Sequence, residues 1–228
     1  MKFIIIGLGS FGGPLAIKLT EQGNEVIGID SRMVKVDGLK EKISHTICMD
    51  ATDEFTVTGL PIKETDVIIV AIGEDQGANI MATALFKNLQ PKRLISRAIN
   101  PLHEKVLEAI GVDDIVHPEE ETAERWSKKL CLNGLVDSFE LSDDFSIVEL
   151  TVPEKLDGKT IGEINFREKF QLLILTTIKN VRVKSLIGRS SIKNKVQGVA
   201  SLDTVLEKGS IMVVYGANKD IRAFINNQ

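Results

Sequence analysis

The stretch from Met1 to Asp30 constrains the fold more than any other part of the chain. Residues 2–6, Lys-Phe-Ile-Ile-Ile, form a short apolar run rich in β-branched side chains, and Gly7-Leu8-Gly9-Ser10-Phe11-Gly12 follows at once. A helical pattern runs from Gly13 to about Gln22, and a second apolar run, Glu25 to Ile29, ends on Asp30. Strand, glycine turn, helix, strand and acid in that order form a βαβ unit able to receive a nucleotide. Gly7 lets the chain turn sharply off its strand, Gly9 removes a side chain where a pyrophosphate would sit, and Gly12 lets helix and strand pack closely. Backbone N–H groups at the helix start face an anion along the positive end of the helix dipole. The plain alternative is a turn that serves only as a tight connection.

A carboxylate at Asp30 accepts hydrogen bonds from ribose hydroxyls and repels a 2′-phosphate, which favours NAD(H) or an adenine mononucleotide over NADP. Arg32, two residues on, opposes that exclusion.

The rest of the first half alternates strands and helices. Residues 32–42 read as a helix, Thr46–Met49 as a strand, Asp53–Leu60 as a brief helix stopped by Pro61, and Asp66–Ala71 as a central strand covered on both faces. Glu74–Leu89 reads as an amphipathic helix with Ile80, Ala84, Leu85 and Leu89 in its apolar register. Arg93–Arg97, Pro101–Ile110 and Asp114–Val116 complete an α/β, doubly wound parallel sheet of the Rossmann-like kind, with its ligand at the carboxyl ends of the strands. A helix from Glu119 to about Leu132 follows, and its Trp126 and Leu130 read as a packing surface.

Residues 138–228 read as a smaller α+β domain. It holds strands at 147–152 and 172–178, a helix over 160–169, a hairpin partner at 181–187 across Lys179-Asn180, a polar loop between Gly188 and Gly209, a strand at 211–215 and a final helix at 220–225. The division is therefore 1–118, a linking helix over 119–137, and 138–228.

With 228 residues and 43% hydrophobic content, two modest cores can form, built from aliphatic side chains because only 5% of the residues are aromatic. A net charge of -4 with no basic stripe argues against nucleic acid as a partner. The apolar runs are far shorter than the ~20 residues that span a bilayer, and no signal-peptide pattern occurs, so a soluble cytoplasmic protein is expected. Cys48 and Cys131 read as reduced thiols.

The set Gly-Leu-Gly-x-Phe-Gly-Gly, Asp30, Asp50-Ala51-Thr52, residues 67–73, Arg97-Ala98-x-Asn100 and His117-Pro118-Glu119 resembles the RCK subunits of bacterial potassium-uptake systems, the TrkA/KtrA-type regulators. The resemblance covers nearly the whole chain, and it is specific as a set of motifs in the first half. It implies a regulator rather than an enzyme: dimers assembled into an octameric ring beneath a membrane potassium channel, whose shape follows exchange of ATP, ADP, AMP or NAD(H).

Carried over, it puts Gly7, Gly9, Phe11 and Gly12 on the phosphates with Ser10 in the same loop. Asp30 holds the ribose, flanked by Ser31 and Arg32; Asp50 and Ala51 lie beside adenine; Ala71, Ile72 and Gly73 cover the nucleotide. It puts Arg97 near the phosphates and gives Glu119 a hold on a divalent ion such as Mg²⁺. Ser10 stands where ATP-preferring relatives carry Arg, which leaves NAD(H), ADP and AMP open. Arg167 matches a cyclic di-AMP site of some relatives, but Leu173 replaces its Asn and no proline follows Pro153, so that site is not expected.

Plain readings stand beside these. Asp50 could cap the helix at 53–60, Arg97 could be a solvated strand-end charge, and Glu119–Glu121 could be a charge run at a helix start. His45, His103 and His117 read as structural or exposed. The competing class is an NAD-dependent dehydrogenase, which needs an acid or base that these histidines do not offer and more chain than 138–228 to shape a substrate pocket.

Overall fold

The computed structural model describes residues 1–184 and 190–227. It divides into two compact units, Met1–Glu120 and Glu121–Gln228.

In the first unit, β1 (Lys2–Ile6) leads into α1 (Gly12–Glu21), β2 (Glu25–Asp30), α2 (Met33–Leu39), β3 (His45–Cys48) and α3 (Glu54–Val57). Then come β4 (Val67–Val70), α4 (Gln76–Asn88), β5 (Leu94–Arg97), α5 (Pro101–Ile110) and β6 (Asp114–Val116). All strand pairs are parallel, in the order β3-β2-β1-β4-β5-β6.

Strand β1 is apolar almost throughout because both its faces are covered. Phe3 and Ile5 join Val26, Val67 and Ile69 against α1 and α2, while Ile4 and Ile6 join Ile29, Ile68 and Val70 against Val57, Ala82 and Phe86. Each such side chain contributes about 1.5–3 kcal/mol when fully buried. The chain steps outward from β1 to β2 and β3, then returns to β4 on the other side of β1. That reversal opens a crevice at the carboxyl ends of β1 and β4.

One helix face differs from the sequence expectation. Buried on α4 are Asn79, Ala82, Thr83 and Phe86, whereas Ile80, Ala84, Leu85 and Leu89 are half-buried. The cause is polar. Asn79 Nδ2 donates to the Ile72 carbonyl at 2.8 Å and to the Arg97 carbonyl at 3.3 Å. Ser96 Oγ donates to Asn79 Oδ1 at 3.1 Å and stands 3.0 Å from Thr83 Oγ1. A satisfied buried network thus turns the helix about one position from the apolar register.

The helix α6 (Pro118–Cys131) starts in the first unit and ends in the second. Trp126 and Leu130 are exposed on it, at 53% and 77%. It stops at Cys131, and residues 135–137, expected in the linking helix, begin the strand β7 (Leu135–Glu140).

The second unit continues with β8 (Phe145–Thr151), α7 (Ile161–Ile164), α8 (Phe166–Phe170), β9 (Leu173–Lys184), β10 (Ser190–Val196), β11 (Ile211–Ala217) and α9 (Asn218–Asn226). Its sheet is antiparallel, ordered β10-β9-β11-β8-β7. The single helix expected over 160–169 is two, because Asn165 takes a left-handed conformation at φ 56. A capping box between Thr160 and Glu163 starts the first, and Phe166, Phe170 and Phe224 pack ring against ring beside the second.

The hairpin lies elsewhere than the sequence predicts. Lys179 and Asn180 lie inside β9, paired with Lys195 and Asn194, so the partner strand is β10 within the stretch expected to be a loop. Residues 185–187 of the expected strand lie outside the described residues. Among the described residues no helix is long and apolar enough to cross a membrane.

Candidate nucleotide site

The crevice at the sheet's reversal holds a cavity of about 280 Å³. The turn after β1 enters it because Gly7 adopts φ +93, and a Cβ there would lie 2.9 Å from the Ile72 backbone nitrogen. A Cβ on Gly12 would collide with the Gly7 carbonyl and stand 3.0 Å from the Ala71 Cβ. Gly12 therefore sets how closely α1 approaches the turn and β4. At Gly9 the nearest atom to an added Cβ is Lys35 Nζ at 3.5 Å, an ordinary van der Waals contact.

Asp30, at the end of β2, is 7% exposed. Its Oδ2 accepts from the Leu8 N–H at 2.8 Å and its Oδ1 from the Arg32 N–H at 2.9 Å. An ionised carboxylate has about four lone-pair sites. Two are taken by the backbone, so the acid locks the glycine turn to β2 and keeps acceptor capacity for a ligand's hydroxyls.

Around it lie Arg32, expected from the sequence, and two charged side chains that were not, Lys35 and Glu74. Glu74 receives Arg32 Nη2 at 2.8 Å and Lys35 Nζ at 3.3 Å, and Lys35 Nζ is also 3.8 Å from Asp30 Oδ2. These bonds hold the Glu74 carboxyl below its ordinary range, the Arg32 hydrogen bond acting most and that of Lys35 next. The Arg32 guanidinium is correspondingly raised by its hydrogen bond to Glu74.

Across the cavity, Asp50 Oδ1 accepts from the Thr52 N–H at 2.9 Å and the Thr52 hydroxyl at 2.7 Å, which lowers the Asp50 carboxyl. The helix cap considered for Asp50 belongs instead to Asp53, which accepts from the Phe55 N–H at 3.0 Å. Arg97 is 8% exposed at the end of β5, its guanidinium lies against Gly73, and its Nη2 donates to Glu119. Its Nε has no partner. Arg97 borders the cavity as a residue, while its Nε is itself shielded from solvent.

Of the expected site residues, Gly7, Gly9, Ser10, Asp30, Ser31, Arg32, Asp50, Ala51, Ala71, Ile72, Gly73 and Arg97 all border this cavity. Phe11 and Gly12 do not: Phe11 packs into the apolar layer under α1, and Gly12 acts through packing. Glu119 meets the site through Arg97 rather than by lining it. Among the described residues no three His, Cys, Asp or Glu side chains cluster for a metal ion. A divalent ion here would take one carboxylate and otherwise the oxygens of a bound phosphate, a donor set suited to Mg²⁺.

Sequence reasoning missed Lys35, Glu74 and the anchoring Asn79. For Asn79 a signal existed, a polar residue inside a buried helix. For the charged pair there was none, since their meeting depends on tertiary folding. In the second unit Arg167 and Leu173 border another cavity, lined also by Ile161, Phe166 and Leu202.

Compared with protein-family models, residues 3–118 match the TrkA-N domain and residues 145–228 the TrkA-C domain. The chain is 36% identical to Ktr system potassium uptake protein C of Bacillus subtilis over 224 residues, 98% of this chain and 95% of that protein. It is 32% identical to protein A of the same system and organism, covering 99% of this chain and 96% of that one. Among solved structures, the RCK domain of GsuK superposes with a TM-score of 0.66 at 20% identity, over 99% of this chain and 47% of that one. The GsuK channel bound to NAD gives 0.63 at 20% identity, over 96% and 38%. At that identity the two structures speak for the fold alone, and this chain spans less than half of either. Matches to both domain models, joined to identities above 30% along almost the full length, establish that the chain belongs to the TrkA/Ktr family.

Proposed function

We propose that the chain is a cytoplasmic, nucleotide-sensing regulatory subunit of a membrane potassium-uptake system, and not an enzyme. Its first unit takes an adenine nucleotide, ATP, ADP, AMP or NAD(H), in the crevice between β1 and β4. The observation that carries this is Asp30: buried, fixed by two backbone donors, and still able to accept from a ribose at the edge of a cavity floored by a glycine turn. Gly7, Gly9 and Ser10 border the phosphates, Ser31 and Arg32 flank the sugar, Asp50 and Ala51 stand beside adenine, and Ala71–Gly73 cover the ligand. Arg97, on the cavity wall at the end of β5, lies near the phosphates, and Glu119 helps to hold Mg²⁺ on them. The names of the Bacillus relatives support the potassium-uptake role.

The subunit acts as dimers within an octameric ring docked on the channel. Exposed Trp126 and Leu130 on α6 support self-association, because large apolar side chains left in water are candidates for burial between copies. A nucleotide biases such a ring only by binding its open-gate and closed-gate shapes unequally, and many sites multiply a modest bias.

The test is a thermal-shift titration with ATP, ADP, AMP, NAD⁺ and NADH, with and without Mg²⁺. At a hundredfold excess over Kd a ligand adds about 2.7 kcal/mol, which raises the melting temperature by roughly 5–10 °C in a chain of this size. No preference for any adenine compound over buffer overturns the reading. Robust reduction of NAD⁺ with a panel of hydroxy acids and alcohols would favour a dehydrogenase instead.

A further inference from the structure

The glycine turn Gly7-Leu8-Gly9-Ser10-Phe11-Gly12 carries no charge, yet a cation already stands over it. Lys35, in the first turn of α2, holds its ammonium 3.5 Å from where a Gly9 Cβ would lie, with its side chain 23% exposed. There it is balanced by two acids of different standing. Asp30 is buried and fixed by the Leu8 and Arg32 backbone. Glu74 is 71% exposed, and each of its oxygens takes one cation, Oε1 that of Lys35 and Oε2 that of Arg32.

We infer that Lys35 is the cation of the phosphate subsite and that Glu74 is the counter-ion which a phosphate displaces from it. The inference rests on the adenine-nucleotide reading of this cavity and deepens it by naming what holds the phosphates. A diphosphate over Gly9 brings more negative charge than one carboxylate, and it also collects the backbone N–H groups at the start of α1, which Glu74 does not reach. Lys35 moves little to meet it. Glu74 gives up Lys35, keeps Arg32 on its other oxygen, and turns the freed oxygen to water at small cost, because it is already mostly exposed. Affinity therefore rises with phosphate charge, and an uncharged nucleoside draws nothing from Lys35.

Calorimetric titration of the full chain with adenosine, AMP and ADP tests this. Lys35→Gln lowers ADP affinity by about tenfold or more, as loss of one charge-assisted hydrogen bond should, and leaves adenosine within about twofold. Lys35→Arg restores most of the ADP affinity, and Glu74→Gln raises it by about threefold without changing adenosine. Lys35→Gln acting equally on adenosine and ADP, or on neither, overturns the inference, as does weaker ADP binding by Glu74→Gln. Those results leave the nucleotide reading intact so long as the unaltered chain binds ADP. An unaltered chain that binds neither ligand overturns both.

Discussion

Replacing Asp30 by Asn keeps the side chain's size and removes half of what it does. The carboxylate serves two backbone donors with two different oxygens, Leu8 N–H at 2.8 Å and Arg32 N–H at 2.9 Å. An Asn offers one oxygen, and its NH₂ must face one of those N–H groups donor to donor. Leaving a buried N–H without an acceptor costs about 1–3 kcal/mol, and the bond that survives loses its charge assistance. Asp30→Asn should therefore destabilise the first unit by about 2–3 kcal/mol, a fall of roughly 5–12 °C in its melting temperature. The acceptor capacity turned toward the cavity falls as well. Nucleotide affinity should drop by about 2–3 kcal/mol, or roughly 30- to 150-fold in Kd, measured by calorimetry with ADP or NAD⁺ below the melting temperature of the variant. Because the charge that repels a 2′-phosphate is gone, NADP⁺ should lose less than NAD⁺. An unchanged melting temperature refutes the lock on the glycine turn. An unchanged Kd, with folding intact, means the ribose is held elsewhere.

Gly12→Ala forces a Cβ into the Gly7 carbonyl and to 3.0 Å from the Ala71 Cβ, and overpacking of this kind should cost about 2–3 kcal/mol in urea denaturation; a cost below about 0.5 kcal/mol would show that α1 can back away freely. His103 is fully buried on α5 with neither ring nitrogen partnered, and burial lowers its pKa. As pH falls the unfolded chain protonates first, so this contribution is complete above about pH 6.5 and is lost below it at up to about 1.4 kcal/mol per pH unit, until the folded state also takes the proton. The stability curves of the natural chain and His103→Leu should diverge below that pH, and parallel curves would exclude the histidine as the cause. Glu119→Gln should abolish the part of the ATP- or ADP-induced thermal shift that depends on Mg²⁺ and keep the part that does not; a persisting Mg²⁺ increment puts the ion on other groups.

Much of the first unit was legible because its signals are local. Proline at the first position of α5, with the Asn100 side chain capping it and Gly111 at φ 83 ending it, marks that helix within its own letters. The doubly covered strands announce themselves as unbroken apolar runs. The face of α4 was misread because Asn79 and Thr83 are buried by hydrogen bonds to Ile72 and Ser96, groups that belong to other elements. In the second unit, Lys179-Asn180 has turn-like composition but lies mid-strand, paired with the equally polar Asn194 and Lys195 of β10. Nothing in β9 by itself reveals that partner, and β7, with only Leu135 buried, carries too little apolar alternation to stand out.

The candidate site divides along the same line. Gly7, Gly9, Gly12 and Asp30 could be read because each is tied to the chain within a single βαβ unit. Lys35 and Glu74 are acquired only when α2 and the segment after β4 meet above the sheet's reversal. This difference in origin carries a difference in physics. Asp30 is bound to backbone and cannot move without undoing the turn, so a ribose held there, as proposed, would find an acceptor already organised. Glu74 is bound only to side chains and is exposed, so whatever enters beside Gly9 must exchange one ion pair for another. On the proposed reading, a site built in this way would recognise the adenosine part with its fixed half and weigh the phosphate part with its exchangeable half. The discrimination that a nucleotide sensor needs would then lie in Lys35, Arg32 and Glu74, and the fingerprint glycines would supply affinity that all adenine nucleotides share.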